Sequence, residues 1–244
     1  MKININADMG ESWGAFVMGD DPALLQVVAS ANIACGLHGG DPKVIADTIR
    51  LAKAKGVSIG AHPGYADREH FGRRALSLPP ELLQRQLREQ LEALARIARE
   101  EGVPLCHVKP HGALYNQAAQ DEALAAQLVQ LVQSVDPGLA LMGLAGSALP
   151  RAARRAGLRA IDEGFADRGY SPEGLLLPRD QAGAFVDDPQ QAARQVLRLL
   201  DGDPAASSFC IHGDRPGAAG FARELRAALE SMGWTISTGL RPQA

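Results

Sequence analysis

The feature of this sequence that most constrains its fold is the repeated alternation of a short apolar run with a helix signal. Seven strand-like segments occur along the 244 residues, and each precedes a stretch with capping residues or helical periodicity. The segments read KININAD, SANIACGLH, VSIGAH, CHVKPHGALY, LALMGLAG, LRAIDEGF and SSFCIHGD. Asp-Pro pairs at 21–22, 41–42 and 188–189 supply an N-cap followed by a proline in the first helical turn. Strands that alternate with helices predict a parallel sheet.

Polar side chains fall at the carboxyl ends of the predicted strands, and they indicate how the sheet closes. They are Asp8, His38, His62, His111, Glu163, Asp167, His212 and Asp214. An open sheet binds its ligand at one switch point and uses few strand ends, whereas a barrel directs all its carboxyl ends to one cavity. The pattern therefore favours a distorted seven-unit (β/α) barrel in the α/β class, without a clear eighth unit. Because no composition break divides the chain, we expect residues 1–244 to form one domain.

The segment CHVKPHGALY is the most polar of the predicted strands. It places His107, Lys109 and His111 two residues apart, so their side chains leave the same face of the strand. A buried lysine would be costly without an anion. We therefore expect Lys109 to meet a substrate carboxylate or phosphate, or else the pair formed by Asp8 and Glu11.

Asp8 and the strand-end histidines are candidates for a site because an inward carboxylate is costly unless it is paired. Asn4 and Asn6 share the face of Asp8, and they fit either hydrogen bonds inside the barrel or contacts with a ligand. Glu11 is either a residue of the site or the acidic residue in the first turn of a short helix. One Asp with two or three His could hold a divalent metal ion or activate water directly. The sequence does not decide between these alternatives, and metal ligands stay unassigned.

Composition excludes several other classes of protein. A formal net charge of −3 gives no reason to expect nucleic acid or an anionic membrane as a partner. The charged loop PGYADREHFGRR is interpreted as a solvated face. No signal-peptide pattern precedes the first strand, and no apolar run reaches the length of a membrane span, so we expect a cytoplasmic protein. The three cysteines form no CxxC pair, which favours a reducing compartment and a role in the core rather than as nucleophiles. They are Cys35, Cys106 and Cys210.

Three common catalytic motifs are absent from the sequence. There is no phosphate-binding glycine loop of the GxxxxGK[ST] or GxGxxG type and no HExxH pair. The run GESWG at 10–14 has the GxSxG spacing, but the next helix signal is Asp21-Pro22, so it lacks the strand–turn–helix context of a nucleophile elbow. Carboxylates and imidazoles without a nucleophile indicate water as the attacking group. The residues alone therefore predict a hydrolase of a C–N bond, with metal dependence left open.

Seven segments together resemble the LamB/YcsF (lactam-utilisation) family. They are NADMGESWG, SANIACGLHGGDP, IGAHPGYADREHFGRR, HVKPHGALYN, GLAGS, FADRGYSPEGLLLPR and IHGDRPGA, and they span Asn6 to Gly217 in order. The resemblance implies a seven-unit barrel similar to glycoside hydrolase and deacetylase-like barrels. The family usually reads N-C-D-L-G-E where this chain has Ala7 and Met9, so the missing cysteine is not expected to be an essential nucleophile.

The resemblance also implies a function, namely that of the A subunit of a bacterial ATP-dependent 5-oxoprolinase. That enzyme opens 5-oxo-L-proline to L-glutamate, with ATP as co-substrate of a complex that includes 5-oxoprolinase subunits B and C. Because this chain lacks a phosphate-binding loop, the partner subunits are expected to handle the nucleotide. A stand-alone metal-dependent deacetylase and a non-catalytic carrier of lactam or metal are the alternatives, and assembly into a homo-oligomer is left open.

Residue roles are stated as a hypothesis on this basis. The catalytic candidates are Asp8, Glu11, His38, His62, Lys109, His111 and His212, and the substrate-binding candidates are Asn6, Asp167, Arg168 and Asp214. Asp8 with His62 or His38 would act as base or metal ligand. Lys109 and His111 would stabilise an oxyanion or a leaving phosphate. Asp167 and Arg168 would hold the substrate carboxylate, for which the fork of arginine is suited.

Overall fold

A computed structural model describes residues 1–215 and 217–238, and its parallel strands close into a barrel. The strands are β1 (Lys2–Met9), β2 (Ser30–Ala34), β3 (Ser58–His62), β4 (His107–Val108), β5 (Ala140–Leu144), β6 (Ala160–Phe165), β7 (Ser208–Ile211) and β8 (Thr235–Ile236). Strands β1 to β7 pair in chain order, and β1 pairs with both β2 and β7. The register places Asn6 opposite Ser30 on one side and Asn4 opposite Ser208 on the other. The prediction of a seven-stranded (β/α) barrel is confirmed.

Helices lie between the strands and cover the outside of the barrel. They are α1 (Asp21–Leu24), α2 (Pro42–Ala54), α3 (Pro80–Glu100), α4 (Gly112–Gln120), α5 (Glu122–Val135), α6 (Ala148–Arg155), α7 (Pro189–Leu200) and α8 (Ala218–Ser231), with a short 3₁₀ turn at Arg68–His70. Of the described helices, none is long and apolar enough to cross a bilayer. Two of the three predicted Asp-Pro caps form, because Asp41 accepts from the N–H groups of Lys43 and Val44, and Asp188 accepts from that of Gln190.

The third Asp-Pro pair differs from the prediction. The N-cap of α1 is Asp20, whose side chain accepts from the N–H of Ala23. Asp21 instead accepts from the N–H of Gly10 at 2.8 Å and from the hydroxyl of Thr48 at 3.1 Å. It therefore ties the end of β1 to α2, and α1 is only one turn long.

Several element bounds also differ from the sequence prediction. Strand β2 ends four residues before His38, and β4 covers only two residues, although the N–H of Lys109 still donates to Ala61 of β3. Strand β8 was not predicted, and it pairs with Lys2 and Ile3 at the start of β1. Two helices rather than one follow β4, because Asp121 caps a new helix at Glu122. The last helix was predicted from Pro216, which lies outside the described residues, and α8 begins at Ala218.

The two faces of the barrel strands have opposite character. Ile3 and Ile5 point outward from β1 into the main hydrophobic cluster, which the apolar stripes of the helices complete. Leu87 and Leu91 of α3 are almost fully buried there, and burial of such a side chain contributes about 1.5–3 kcal/mol. The inward face carries Asn4, Asn6 and Asp8 instead, as the alternation in KININAD predicts.

Hydrogen bonds among amides and hydroxyls fill the lower part of the barrel. The hydroxyl of Ser208 donates to Asn4 at 2.6 Å and accepts from the amide of Asn6 at 2.8 Å, while Asn4 donates to Ser30 at 2.9 Å. These side chains are all buried, so each donor needs such a partner. The lower part of the barrel interior is therefore polar. We call these four side chains, Asn4, Asn6, Ser30 and Ser208, the polar floor beneath the carboxyl ends of the strands.

Candidate active site

A cavity of about 490 Å³ opens at the carboxyl ends of the strands. Asp8, His62, Lys109 and His212 all line it, although they come from four different strands or their following loops. Residues 175–179 of the long loop after β6 close one side. Loops of that length without regular structure are often functional. Because residues 175–179 line the cavity, this loop lies beside the candidate catalytic groups.

The Lys109 ammonium lies at the base of this cavity between two carboxylates. Its Nζ is 2.9 Å from Oδ1 of Asp8 and 2.9 Å from Oε1 of Glu163, which is fully buried. The expectation that Lys109 would meet Glu11 is wrong, since the second acid is Glu163. Sulfur of Cys210 lies 3.2 Å from the same nitrogen.

The ion pairs fix the charges of these buried groups. Burial opposes ionisation of Asp8, but His62 and Lys109 outweigh it and hold the pKa of Asp8 well below its usual range. Burial likewise disfavours the ammonium of Lys109, yet Asp8 and Glu163 are among the groups that raise its pKa well above normal. The lysine is therefore a permanent cation that faces the cavity.

Asn32 and His107 hold Asp8 from below. The amide nitrogen of Asn32 donates to Oδ1 of Asp8 and to Oδ1 of Asn6, both at 2.8 Å. The carbonyl oxygen of Asn32 can only accept, so Nε2 of His107, 2.7 Å away, must carry the proton. Gly60 makes room for this ring, because a Cβ at Gly60 would fall 2.2 Å from Nε2 of His107. Neither Asn32 nor His107 was among the sequence candidates.

Four further polar side chains form a compact cluster beside the cavity. One potential ligand atom from each lies within 4.8 Å of all the others, so the cluster could hold a metal ion. Its members are Glu11, His38, His62 and His111. The rings of His38 and His111 stack at 3.7 Å, with an angle of 4° between their planes. Glu11, His62 and His111 line the cavity, whereas His38 lies behind them and is not among the described lining residues.

Backbone carbonyls orient two of these rings. Nδ1 of His62 is 2.8 Å from the carbonyl of Lys109, and Nε2 of His111 is 2.8 Å from that of Phe71. Phe71 has a left-handed backbone (φ 54°), which costs a non-glycine residue about 1–2 kcal/mol. The strain thus lies at the residue whose carbonyl binds His111.

The acid–base character of the cluster follows from its burial. Burial and the neighbouring His38 and His62 hold the pKa of His111 well below normal, and burial with His62 lowers the pKa of His38. For Glu11, burial and the charge of Asp8 raise the pKa. In the absence of a cation, these groups therefore favour neutral forms.

On the opposite wall, Asp167 holds His212. The carboxylate of Asp167 accepts from the backbone N–H of His212 at 2.9 Å and lies 3.0 Å from Nδ1 of its ring. Burial opposes ionisation of Asp167, but His212 and Arg168 more than compensate and lower its pKa. Asp167 thus binds Nδ1 of His212 and does not bind Nε2. His212 lines the cavity.

Arg168 and Asn6 occupy positions unlike those expected of substrate contacts. Arg168 lines the cavity, but its guanidinium donates to the carbonyls of Ala184 and Leu177, which hold the long loop in place. Asn6 is fully buried in the polar floor and is not among the described lining residues. Asn6 thus supports the site from below, whereas Arg168 lines the cavity while two of its donors hold the long loop.

Two other arginines face the cavity near Asp214. Arg73 and Arg179 donate to the same oxygen of Asp214, at 2.7 and 2.8 Å. Burial opposes ionisation of Asp214, but the two arginines hold its pKa well below normal. The interpretation of the charged loop as a solvated face is wrong for Asp67, which is buried, whereas Arg73 is exposed and lines the cavity.

The catalytic and substrate-binding candidates did not include several residues of the site. They are Asn32, Arg73, His107, Glu163, Arg179 and Cys210, of which Glu163 was predicted at a strand end and His107 on the same strand face as Lys109. Inward alternation in SANIA and IDEGF was the available signal for Asn32 and Glu163. The predicted core position of Cys210 is confirmed by its complete burial, but the contact with Lys109 could not be read from an apolar strand.

Fold and site together define a (β/α)-barrel protein with its candidate active site at the carboxyl ends of the strands. The LamB/YcsF family model matches residues 3–243, so the chain belongs to the LamB/YcsF family. A protein from Azoarcus sp. that is named as the A subunit of 5-oxoprolinase is 50% identical, with 97% of this chain and 96% of that protein covered.

Solved structures show the same fold. The crystal structure of a lactam utilization protein from Thermus thermophilus is 44% identical and superposes with a TM-score of 0.89, over 98% of this chain and 100% of that one. A family 4 carbohydrate esterase from Streptomyces lividans is 12% identical and has a TM-score of 0.53, over 96% and 91% of the two chains. At that identity the likeness extends to the fold alone.

Proposed function

We propose that this chain is the A subunit of a 5-oxoprolinase and acts in the hydrolysis of 5-oxo-L-proline to L-glutamate, coupled to hydrolysis of ATP to ADP and phosphate. The observation that carries the proposal is the 50% identity, over nearly the whole of both chains, to a protein that bears this name. Subunits B and C are the proposed partners. We also propose that the chain is one barrel domain that works in the cytoplasm, which its three buried cysteine thiols support.

The reaction needs activation because a five-membered lactam is a stable amide. Transfer of a phosphoryl group from ATP to the lactam oxygen would activate the carbonyl carbon. Water then adds to that carbon, and the C–N bond breaks as the ring nitrogen takes up a proton. The acyl phosphate that this leaves on the side chain is hydrolysed by a second water molecule, which gives L-glutamate and phosphate. Because this sequence has no phosphate-binding glycine loop, we assign nucleotide binding to the partner subunits.

Lys109 and His212 are suited to the hydrolytic step. The ammonium of Lys109 is buried and fixed by Asp8 and Glu163, so it can stabilise an oxyanion or departing phosphate without reorganising. His212 is oriented through Nδ1 by Asp167, which leaves Nε2 to take a proton from water. Asp8 is thus proposed to hold Lys109 rather than to act as the base itself.

Arg73 and Arg179 are the proposed partners of the substrate carboxylate. Both line the cavity, and each has guanidinium donors beyond the one that binds Asp214. Arg168, the sequence candidate for this role, is already bound to two backbone carbonyls. Asp214 would set the spacing of the two guanidinium groups.

The test is a reconstituted assay of ATP hydrolysis that depends on 5-oxoproline. We expect turnover with subunits B and C and this chain together, none when this chain is omitted, and at least a hundredfold loss with Lys109→Ala. His70→Gln is the matched control, because the ring of His70 hydrogen-bonds to Asp67 and is not among the described residues that line the cavity. Full turnover without this chain, or with Lys109→Ala, would disprove the assignment. Hydrolysis of N-acetylated sugars by the isolated chain without ATP would instead identify the deacetylase alternative.

A further inference from the structure

Two imidazole nitrogens face each other at the edge of the cavity at hydrogen-bonding distance. Nδ1 of His111 lies 3.0 Å from Nε2 of His62. The opposite nitrogen of each ring lies 2.8 Å from a backbone carbonyl, which can only accept, so those nitrogens carry the ring protons. In neutral rings the two facing nitrogens are therefore both lone pairs. Such an arrangement repels unless a cation lies between them.

Glu11 supplies a third donor beside these nitrogens. Its Oε1 lies 3.6 Å from Nδ1 of His111, and it is buried without a hydrogen-bond partner among the residues that the structure describes. A tetrahedral ion with metal–ligand bonds of about 2.0–2.1 Å holds its ligand atoms about 3.3 Å apart. The separations of 3.0 and 3.6 Å lie on either side of that value, and the ligand atoms of His62 and Glu11 are farther apart, within 4.8 Å of each other.

His38 has a different relation to the cluster. Its ring lies parallel to that of His111 at 3.7 Å, so one ion cannot lie in the plane of both rings. Nε2 of His38 is 3.6 Å from Oε1 of Glu11, a position from which it can orient the carboxylate. The stacked ring thus supports the cluster from behind, on the side away from the cavity.

We propose that Nε2 of His62, Nδ1 of His111 and Oε1 of Glu11 bind one first-row divalent metal ion of the Zn²⁺ class. Two imidazoles and one carboxylate match the donor preference of such ions. The carbonyls of Lys109 and Phe71 provide the outer hydrogen bonds that metal-bound histidines require. Because all three ligands line the cavity, the remaining coordination position faces the substrate.

This inference deepens the proposed function and rests on it for the identity of the substrate. When bound, such an ion would polarise the lactam oxygen or acidify a water molecule. The binding of the ion, however, is a property of the chain alone. It can be measured without subunits B and C, and its failure is distinct from failure of the oxoprolinase assignment.

The experiment is metal analysis of the purified full chain, followed by Co²⁺ titration of the chelator-treated protein with visible absorption as the readout. We expect about one ion per chain and a tetrahedral Co²⁺ spectrum in the wild type. His62→Gln, His111→Gln and Glu11→Gln should each weaken binding by at least tenfold. His38→Gln should retain the spectrum, and His70→Gln serves as the control for a nearby histidine.

Two outcomes would overturn the proposal. One is a wild-type chain that binds neither Zn²⁺ nor Co²⁺, in which case a proton lies between the two rings. The other is a set of ligand variants that binds Co²⁺ as tightly as the wild type. Circular dichroism of every variant shows whether it is folded. If a glutamine variant fails to fold, the shorter Glu11→Asp variant provides the ligand test, with a changed Co²⁺ spectrum expected.

Discussion

Nζ of Lys109 lies 2.9 Å from Oε1 of Glu163, in a part of the barrel that excludes solvent from both groups. The same nitrogen binds Asp8 at 2.9 Å, so one cation serves two acids. A triad of this kind gains little net stability over an apolar core, but removal of one member leaves an uncompensated charge.

This relationship predicts the effect of Lys109→Met on stability. The variant leaves Asp8 and Glu163 close together without their cation, and we expect a loss of about 3–5 kcal/mol in the free energy of unfolding. The double variant Lys109→Met/Glu163→Gln should recover part of that loss, because it removes one of the two acids. Urea denaturation measures the free energy of unfolding of the single and the double variant. Additive effects of the two substitutions would show that the groups are not coupled.

Substitution of Arg73 or Arg179, the proposed partners of the substrate carboxylate, is expected to change KM. Arg73→Gln and Arg179→Gln should each raise the KM for 5-oxoproline by about 10–100-fold with a smaller change in kcat, because each removes a charged hydrogen bond made throughout the reaction. The lactam 2-pyrrolidone, which lacks the carboxylate, is the control substrate, and its slower turnover should respond little to either change. If both substrates respond equally, the arginines do not bind the carboxylate.

Arg168→Gln offers a matched comparison. Its guanidinium binds Ala184 and Leu177 of the long loop, so we expect its loss to loosen that loop. Faster proteolysis between residues 169 and 186 should accompany a fall in kcat. A pure KM effect, like that expected for Arg73→Gln, would restore the substrate-binding role predicted for Arg168 from the sequence.

We expect Asn32 to hold the Asp8 carboxylate in position. The amide nitrogen of Asn32 donates to Asp8 and Asn6 and its amide oxygen accepts from Nε2 of His107, so Asn32→Leu removes all three hydrogen bonds at similar volume. We expect kcat to fall by about 10–100-fold, the range seen when an outer hydrogen bond to a functional group is lost. The pH–rate profile should shift as well, since Asp8 loses a hydrogen bond to its ionised form. An unchanged profile would indicate a purely structural role.

His107 predicts a pH dependence of stability. Burial, followed by the charge of Lys109, lowers the pKa of His107 to about 3, whereas an unfolded chain has a histidine pKa of about 6.5. The unfolded state therefore binds the proton first, and stability falls as the pH drops from about 6.5 towards 3 and is fully present above that window. His107→Gln should flatten this part of the curve of Tm against pH. An identical slope in the variant would contradict the burial of a neutral ring.

The sequence by itself determined the architecture and predicted several residues of the candidate site. Seven apolar runs separated by Asp-Pro caps and glycine stops specify strands and helices locally, and parallel strands with polar carboxyl ends leave a barrel as the consistent closure. The inward face of β1 followed from alternation alone, since Asn4, Asn6 and Asp8 are two residues apart.

Only the tertiary structure decided which groups are partners. Lys109 could have met Glu11 or Glu163, and the barrel register brings Glu163 within reach while Glu11 joins the histidines. Arg73 and Arg168 both line the cavity, yet Asp214 binds Arg73 whereas two backbone carbonyls bind Arg168. The physical reason is that secondary structure follows from local, periodic signals, whereas ion pairs join residues far apart in the chain and depend on distances of a few ångströms that closure of the barrel sets.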